Sequence, residues 1–513
     1  MSRKHRPRPH PKSPAAPAAA PAPPPPLQEP VPHAPLWLAA AFLLPNLGAL
    51  ACTFVYDDRV IIVENDALHP RTLEQFGRLW VTGYWPDPRG QELYRPVSKT
   101  LWATLWAVGG GNHPWMYHLV GLALGLAVVL LLHRFLLAVD SPPRTAFIAA
   151  CLFALLPIHT EATTSVVGSA ETLAAAFALC ALLLYRRGRI LPALALFALA
   201  VFSKESSAAF AAIPLVLPGA RRDLPRRSSL FAGLGAGLVI AAAALAHRLV
   251  SRSDRIPAID NPASLISSAQ RILTALWVQC LYLSKTIVPA TLSADYSYKQ
   301  IPLVMNLDDW RAWAGLVLAG GAAVLALASR RFRAPVLIYA ALFAVTANVL
   351  FPIGTIMGER LAYAPSIGLT LLAAILLAEN KHWKIVLAAL ALLYGARTVA
   401  RNLDWRNPEV FYTRLAETSP ASAKAQYSIG ALRASLGDDV AAIAAYDRAI
   451  AVFPAYAEAF RNRGNALARL GRNADAMESY RQCLRFDPTD YAAITNLMQL
   501  QSGKSVYPPR KPL

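Results

Sequence analysis

The sequence predicts an all-α protein: a polytopic membrane bundle of about eleven spans followed by a short helical solenoid. Three observations carry this. Of 513 residues, 55% are apolar and only 16% charged. Apolar runs of about 20 residues recur with Lys/Arg clusters between them, the pattern of multi-spanning chains. After residue 405 the chain turns polar and acquires a period of 34. The basic excess, 50 Lys+Arg against 31 Asp+Glu for a net charge of +19, sits mainly in the N-terminal tail and in short clusters where positive-inside sorting places it, so nucleic-acid binding is not expected. Four of the five cysteines, Cys52, Cys151, Cys180 and Cys280, lie in apolar runs, and none forms a CxxC pair; neither a disulfide framework nor a zinc site is indicated.

Residues 1–34 are rich in Pro and Ala, carry five Lys/Arg in the first twelve positions and lack an acid before Glu29, a composition that predicts a disordered cytoplasmic tail. The run "APLWLAAAFLLPNLGALACTFV" that follows lacks a convincing A-x-A cleavage site and reads as a retained first span, 35–54. Further spans are expected near 115–138, 145–166, 170–186, 189–203, 206–220, 229–250, 310–329, 334–352, 359–378 and 382–400. With a cytoplasmic tail, "HRFLLAVDSPPR", "YRRGR", "RRDLPRR", "ASRRFRAP" and "ENKHWK" all fall inside, provided residues 269–289 do not cross. That segment contains Gln270, Arg271, Gln279 and Lys285 and suits an interfacial or re-entrant helix. The membrane domain is thus 35–402, with its first outer loop at 55–113, and an odd number of spans puts the C-terminal region on the same outer side.

The repeats occupy 403–502, with a tail at 503–513. Tyr412, Tyr446 and Tyr480, then Pro420, Pro454 and Pro488, Gly430 and Gly464, and Gly437 and Gly471 recur in register. Glycines let paired helices approach, tyrosines fill the seam, and each proline stands where a helix must stop. The pattern resembles the tetratricopeptide repeat, with full units at about 425–458 and 459–492, a half unit at 407–420 and a partial cap. Such an array offers a groove for an extended polypeptide, here assigned to Tyr427, Arg461 and Asn465; a spacer or dimerisation module is the alternative.

The predicted topology gathers scattered charges at one membrane face. Asp57 and Asp58 end the run "FVYDDRVII"; Arg95 and Lys99 lie in "YRPVSKT"; His159, Glu161 and Glu171 in "LLPIHTEATTSVVGSAE"; Lys204 and Glu205 in "FSKESS"; Glu359 and Arg360 in "GERLAYAPSIG". Charged groups at embedded helix ends are paired, hydrated or functional, because each costs roughly 2.5–3.5 kcal/mol near mid-membrane. A cluster of both signs suits chemistry on an anionic lipid head group: bases neutralise a departing phosphate and a carboxylate takes the proton of an attacking hydroxyl. Each feature alone also has a structural explanation, as a solvated helix end, a hairpin clamp or a snorkelling side chain.

The order of these motifs, "YDD", "YRP", "LLPIHTEA", "FSKE", "YLSKTIVPATLSADYS", "GERLAYAPSIG" and then the repeats, resembles the transmembrane and tetratricopeptide repeat O-mannosyltransferase family over residues 35–500. The resemblance implies a glycosyltransferase of class C type. It implies a sugar, mannose, carried on a polyprenyl phosphate, a Ser/Thr hydroxyl of a secreted polypeptide as acceptor, and an inverting displacement on the extracytoplasmic side. That side is the periplasm for a bacterial inner-membrane protein and the lumen for one of the endoplasmic reticulum. In this likeness Asp57 is the base with Asp58 assisting, Arg360, Lys204 and Arg95 hold the donor phosphate, and His159, Glu161, Glu205 and Glu359 shape the pocket. No cofactor and no metal site is assigned, although Asp57 and Asp58 could ligate a divalent cation. The chain departs from the family's pattern at Arg360-Leu361-Ala362-Tyr363, which lacks one aromatic. Rival readings are a lipid-linked polysaccharide polymerase or ligase, a flippase and a membrane-anchored repeat scaffold.

Overall fold

A computed structural model of the chain describes residues 29–86, 93–109, 111–217, 219, 225–251 and 256–507. Most of the expected disordered tail, the "RRDLPRR" cluster at 221–227 apart from its last three residues, and the end of the C-terminal tail lie outside them. Among the described residues all regular structure is helical.

Among the described residues six helices are long and apolar enough to cross a membrane: Ala34–Ala51, Pro114–Ala138, Ser169–Arg186, Arg226–Val250, Trp310–Ala328 and Trp383–Leu403. Pro143–Leu155 and Pro157–Thr163, bent by 55° at their junction, make a seventh if taken as one span. The protein is therefore a multi-pass membrane protein, but the expected eleven spans are not reached by length. Ile190–Ser203 has 14 residues and Ser366–Leu377 has 12. At 1.5 Å per residue they extend about 18–21 Å, short of a hydrocarbon core of about 30 Å. The expected span at 206–220 is a 3₁₀ helix, Glu205–Ala212, continued by one α turn, Ile213–Val216. Prolines mark the breaks: Pro157 separates the bent pair, and Pro214 stands at the start of the short turn.

Ser268–Ile287, the segment expected not to cross, is one helix opened by a capping box between Ser267 and Gln270. It lies against Trp310–Ala328, where a side chain in place of Gly315 would come within 2.8 Å of Leu276.

The repeat region folds as the periodicity requires. Ala423–Ser435 pairs with Asp439–Val452, and Ala457–Arg469 with Asn473–Phe486, flanked by Pro408–Thr418 and Tyr491–Gln501. A Cβ on Gly430 or Gly464 would stand 2.8 or 2.7 Å from the rings of Tyr446 and Tyr480, which are buried. Gly437 and Gly471, at φ 88° and 73°, make the left-handed turn between paired helices that a residue with a side chain resists.

Candidate active site

The site begins where the first span ends. Cys52 and Val55 are buried with Trp405, Phe411, Leu415 and Ala425, so the start of the outer loop is pinned to the last span and to the first helix of the repeat region. The chain then turns at Tyr56, which takes φ 53°, a left-handed conformation costing roughly 1–2 kcal/mol outside glycine. Its ring packs on Phe411 at 5.7 Å. This turn points the two following carboxylates in different directions.

Asp57 stays 21% exposed and meets Arg360 at 3.3 Å. The same Arg360 Nη1 lies 3.0 Å from Glu161 Oε1, while the Arg360 backbone N–H donates to Glu161 Oε2 at 2.9 Å. Glu161 is therefore bound twice and is 3% exposed, whereas Arg360 keeps 30% of its side chain open. The bend between Pro143–Leu155 and Pro157–Thr163 delivers Glu161, and the 3₁₀ turn Glu359–Ala362 delivers Arg360.

Asp58 does not share this opening. One oxygen accepts from the Ser165 hydroxyl at 3.0 Å and the Val167 N–H at 2.9 Å, and the other from the Val166 N–H at 3.1 Å. Only 1% of it is exposed. Burial pushes its carboxyl up to about 7, against the pull of the Val167, Val166 and Ser165 donors. Expected as the assisting acid, Asp58 instead clasps the outer loop to the turn before Ser169–Arg186.

Two further ion pairs adjoin. Lys204, at the end of Ile190–Ser203, is buried against Glu171. Arg95 binds Glu205 through two hydrogen bonds, 2.9 and 2.6 Å, with its guanidinium 5.0 Å over the Tyr84 ring. Tyr84 in turn feels the charges of Arg95, Asp57 and Arg360, and Lys204 feels those of Glu171, Arg95, Glu205 and Arg360, so the three pairs form one electrostatic neighbourhood. It holds four acids, Asp57, Glu161, Glu171 and Glu205, against three bases, Arg360, Lys204 and Arg95. A small recess, with room for little more than a water molecule, lies beside Glu171 and Leu361, with Ser206, Phe210, Thr346 and Pro365 among its other lining residues.

Other expected residues have defined places. His159 is buried between Phe153 and Tyr363, with Nε2 2.8 Å from the Ser366 hydroxyl, and braces the bend behind Glu161. Lys99 is spent on Thr82 and Gly83, donating to three oxygens at 2.8–2.9 Å; burial lowers its ammonium to about 8. Glu359 is fully buried: Oε1 accepts from the Ser293 N–H at 2.6 Å and the Tyr296 hydroxyl at 2.5 Å, and Oε2 lies 3.5 Å from Arg401. In the repeats, the Tyr427 hydroxyl accepts from Asn462 at 2.8 Å, Arg461 binds Asp490 at 2.7 Å, and Asn465 accepts from Tyr480 and Asn496. These three side chains tie successive helices together. Among the described residues no group of three or more His, Cys, Asp or Glu side chains gathers as a metal cage.

Sequence reasoning missed Tyr84, Tyr296, Arg401 and Asn402. Asn402 Oδ1 accepts from Thr164 and its Nδ2 donates to Pro45 O at 3.1 Å, joining the last span, the first span and the bent hairpin. The signal was the polar end "ARNLDW" of an apolar run.

The fold and this cluster together define a multi-pass, all-helical membrane protein with a charged corner at one end of its spans and a tetratricopeptide solenoid beside it. The chain is similar to a particular family of such proteins. A family model described as "Protein O-mannosyl-transferase TMTC, DUF1736" matches residues 253–323, and two tetratricopeptide-repeat models match 430–471 and 457–490. Protein O-mannosyl-transferase TMTC3 of Homo sapiens is 27% identical, over 84% of this chain and 53% of its own length. Protein O-mannosyl-transferase TMTC4 of Homo sapiens is 27% identical, over 80% of this chain and 66% of its own. Protein O-mannosyl-transferase F38B6.6 of Caenorhabditis elegans is 26% identical over 82% and 63%. The chain spans about half the length of the first curated relatives it matches.

Proposed function

We propose that the protein is a membrane glycosyltransferase that moves mannose from a polyprenyl-phosphate donor to a hydroxyl of a polypeptide, on the extracytoplasmic side. One observation carries the reading: a partly exposed carboxylate, Asp57, and a partly exposed guanidinium, Arg360, meet from opposite ends of the membrane domain at 3.3 Å. Similarity to proteins named protein O-mannosyl-transferases supports mannose as the sugar and a polypeptide as the acceptor.

The chemistry follows from what each group can exchange. Glu161 is fixed by its bond to the Arg360 backbone and holds the guanidinium in place. Arg360 releases Asp57 when the donor phosphate arrives, since a doubly bonded phosphate is a better partner than one partly hydrated carboxylate. The freed Asp57 accepts the proton of the acceptor hydroxyl as its oxygen attacks the anomeric carbon. The bond from that carbon to the phosphate oxygen breaks, and the lipid phosphate leaves as an anion beside Arg360. The isoprenoid chain of the donor lies in the bilayer between the spans. The scheme uses basic side chains for charge neutralisation and assigns no metal. The repeats present the acceptor segment.

The test is transfer in sealed vesicles carrying polyprenyl-phosphate mannose and a Ser/Thr peptide. Wild type should glycosylate the peptide, with the sugar identified by mass. Equal transfer by wild type, Asp57→Asn and Arg360→Ala, or none by any of them, would remove this reading.

A further inference from the structure

The repeat region touches both halves of the candidate site. Phe411, on its first helix, packs on Tyr56 immediately before Asp57. The loop 293–299, within the segment that carries the family match, lies between the repeats and Arg360. On the repeat side, the Ser293 and Ser419 hydroxyls are 2.7 Å apart, Ser419 donates to Asp295 O at 2.6 Å, and Ser422 is hydrogen-bonded to the Asp295 carboxylate. Backbone joins the same seam: Ala423 N–H donates to Tyr298 O at 2.6 Å and Lys299 N–H to Ala421 O at 3.1 Å. On the membrane side, the Ser293 N–H and the Tyr296 hydroxyl both hold Glu359, the residue before Arg360.

We propose that Glu359 is a positioning residue: docking of the first repeat onto loop 293–299 sets Glu359, and through it the placement of Arg360. The loop meets repeat contacts on one edge and Glu359 on the other, and it is seven residues long, too short for the two edges to move independently. The Glu359–Arg401 contact fits such a role. It is buried at 3.5 Å, yet Glu359 Oε2 and the Nε and Nη2 of Arg401 make no hydrogen bond, so this side of the carboxylate is held by charge alone. The direction of control is from Oε1, where the loop holds it.

The amides give a readout that does not depend on catalysis, although the link to a reaction rests on the proposed function. Hydrogen exchange of the full chain in detergent should follow peptides covering 290–300 and 356–364, including the Arg360 amide that Glu161 holds. Ser422→Asp sets a second carboxylate against Asp295 and should raise exchange in both peptides about tenfold. Exchanging the partners, Asp295→Ser with Ser422→Asp, should restore protection. Tyr480→Ala, which loosens only the distal repeat, should leave 356–364 protected. Loss of protection in 290–300 with none in 356–364, or no change in either, overturns the proposal. Should Ser422→Asp fail to accumulate, Ser419→Ala is judged by the same criterion. In the transfer assay, Glu359→Ala should raise the donor KM more than the acceptor KM, while Glu359→Gln, which keeps an acceptor for Ser293 and Tyr296, should restore it; equal effects on both KM values contradict a positioning role. A chain inactive in every form would sink the reaction and leave the exchange result intact.

Discussion

Asp57 and Asp58 are adjacent, carry the same group and belong to one turn, yet their surroundings differ in kind. Asp58 is surrounded by donors that cannot leave: two backbone N–H groups and a hydroxyl of the turn it clasps. Asp57 faces a guanidinium that already has a second, better-fixed partner in Glu161. A carboxylate bonded to backbone is committed to structure, because breaking it strands buried amides at about 1–3 kcal/mol each. A carboxylate sharing an arginine with another acid can be displaced by an incoming anion, since the guanidinium keeps one ionic partner in Glu161 and gains another in the anion. The contrast teaches that the chemistry of this corner resides in exchangeable partners rather than in charge density.

Substitutions that exchange the two roles test this comparison. The largest effect should come from Asp57→Asn, which removes the base: transfer should fall by roughly 10²–10⁴-fold with the midpoint of thermal unfolding nearly unchanged. Unimpaired transfer, or a large stability loss, would reverse the assignment of the pair. Arg360→Lys keeps the charge but loses the planar fork that would bind a phosphate at two nitrogens; a fall of about tenfold or more with a raised donor KM is expected, and no change in KM contradicts it. Asp58→Ala should act on stability, costing about 2–4 kcal/mol by leaving the Val166 and Val167 amides unpaired, read as a lowered unfolding midpoint in detergent.

A smaller effect concerns pH. The Asp58 carboxyl titrates near 7 in the folded chain against 3.8 for an unperturbed carboxyl, so the folded state binds the proton more tightly. Its contribution to stability is complete below about pH 4 and is lost as pH rises through 7. Unfolding midpoints of wild type should carry this downward slope between those values, and Asp58→Asn should lack it. An identical slope in both removes Asp58 as its source. The least effect on the corner itself should follow Gly464→Ala, whose methyl meets the Tyr480 ring: the distal repeat loses about 1–3 kcal/mol while the membrane domain is untouched.

The repeats were the most legible part of the chain. Glycine and proline fix helix ends by sterics alone, and a period of 34 places the seam tyrosines without knowledge of any partner. Of the corner, Asp57, Glu161 and Arg360 stood out as charges beside apolar runs. Their meeting was legible only through topology. The separate fate of Asp58 was not legible, because it depends on the left-handed turn at Tyr56, which the ring of Phe411, more than 350 residues later, supports. The eleven expected spans are not all matched by length for a local reason: Ile190–Ser203 and Ser366–Leu377 are apolar but stop early at Lys204 and near Glu379, and hydropathy does not measure where a helix ends. The seam through Asp295, Tyr296 and Glu359 was hidden because a polar loop does not reveal in sequence which hydroxyls it will face.

The central claim is that Arg360 exchanges Asp57 for a phosphate. Binding of a polyprenyl phosphate, the donor without its sugar, to wild type and to Asp57→Asn in lipid nanodiscs measures it directly. Removing the competing carboxylate should tighten binding, by about three- to tenfold, in a variant that no longer transfers sugar. Binding that is equal or weaker in Asp57→Asn would show that the carboxylate and the phosphate do not compete for one guanidinium, and the account would fail.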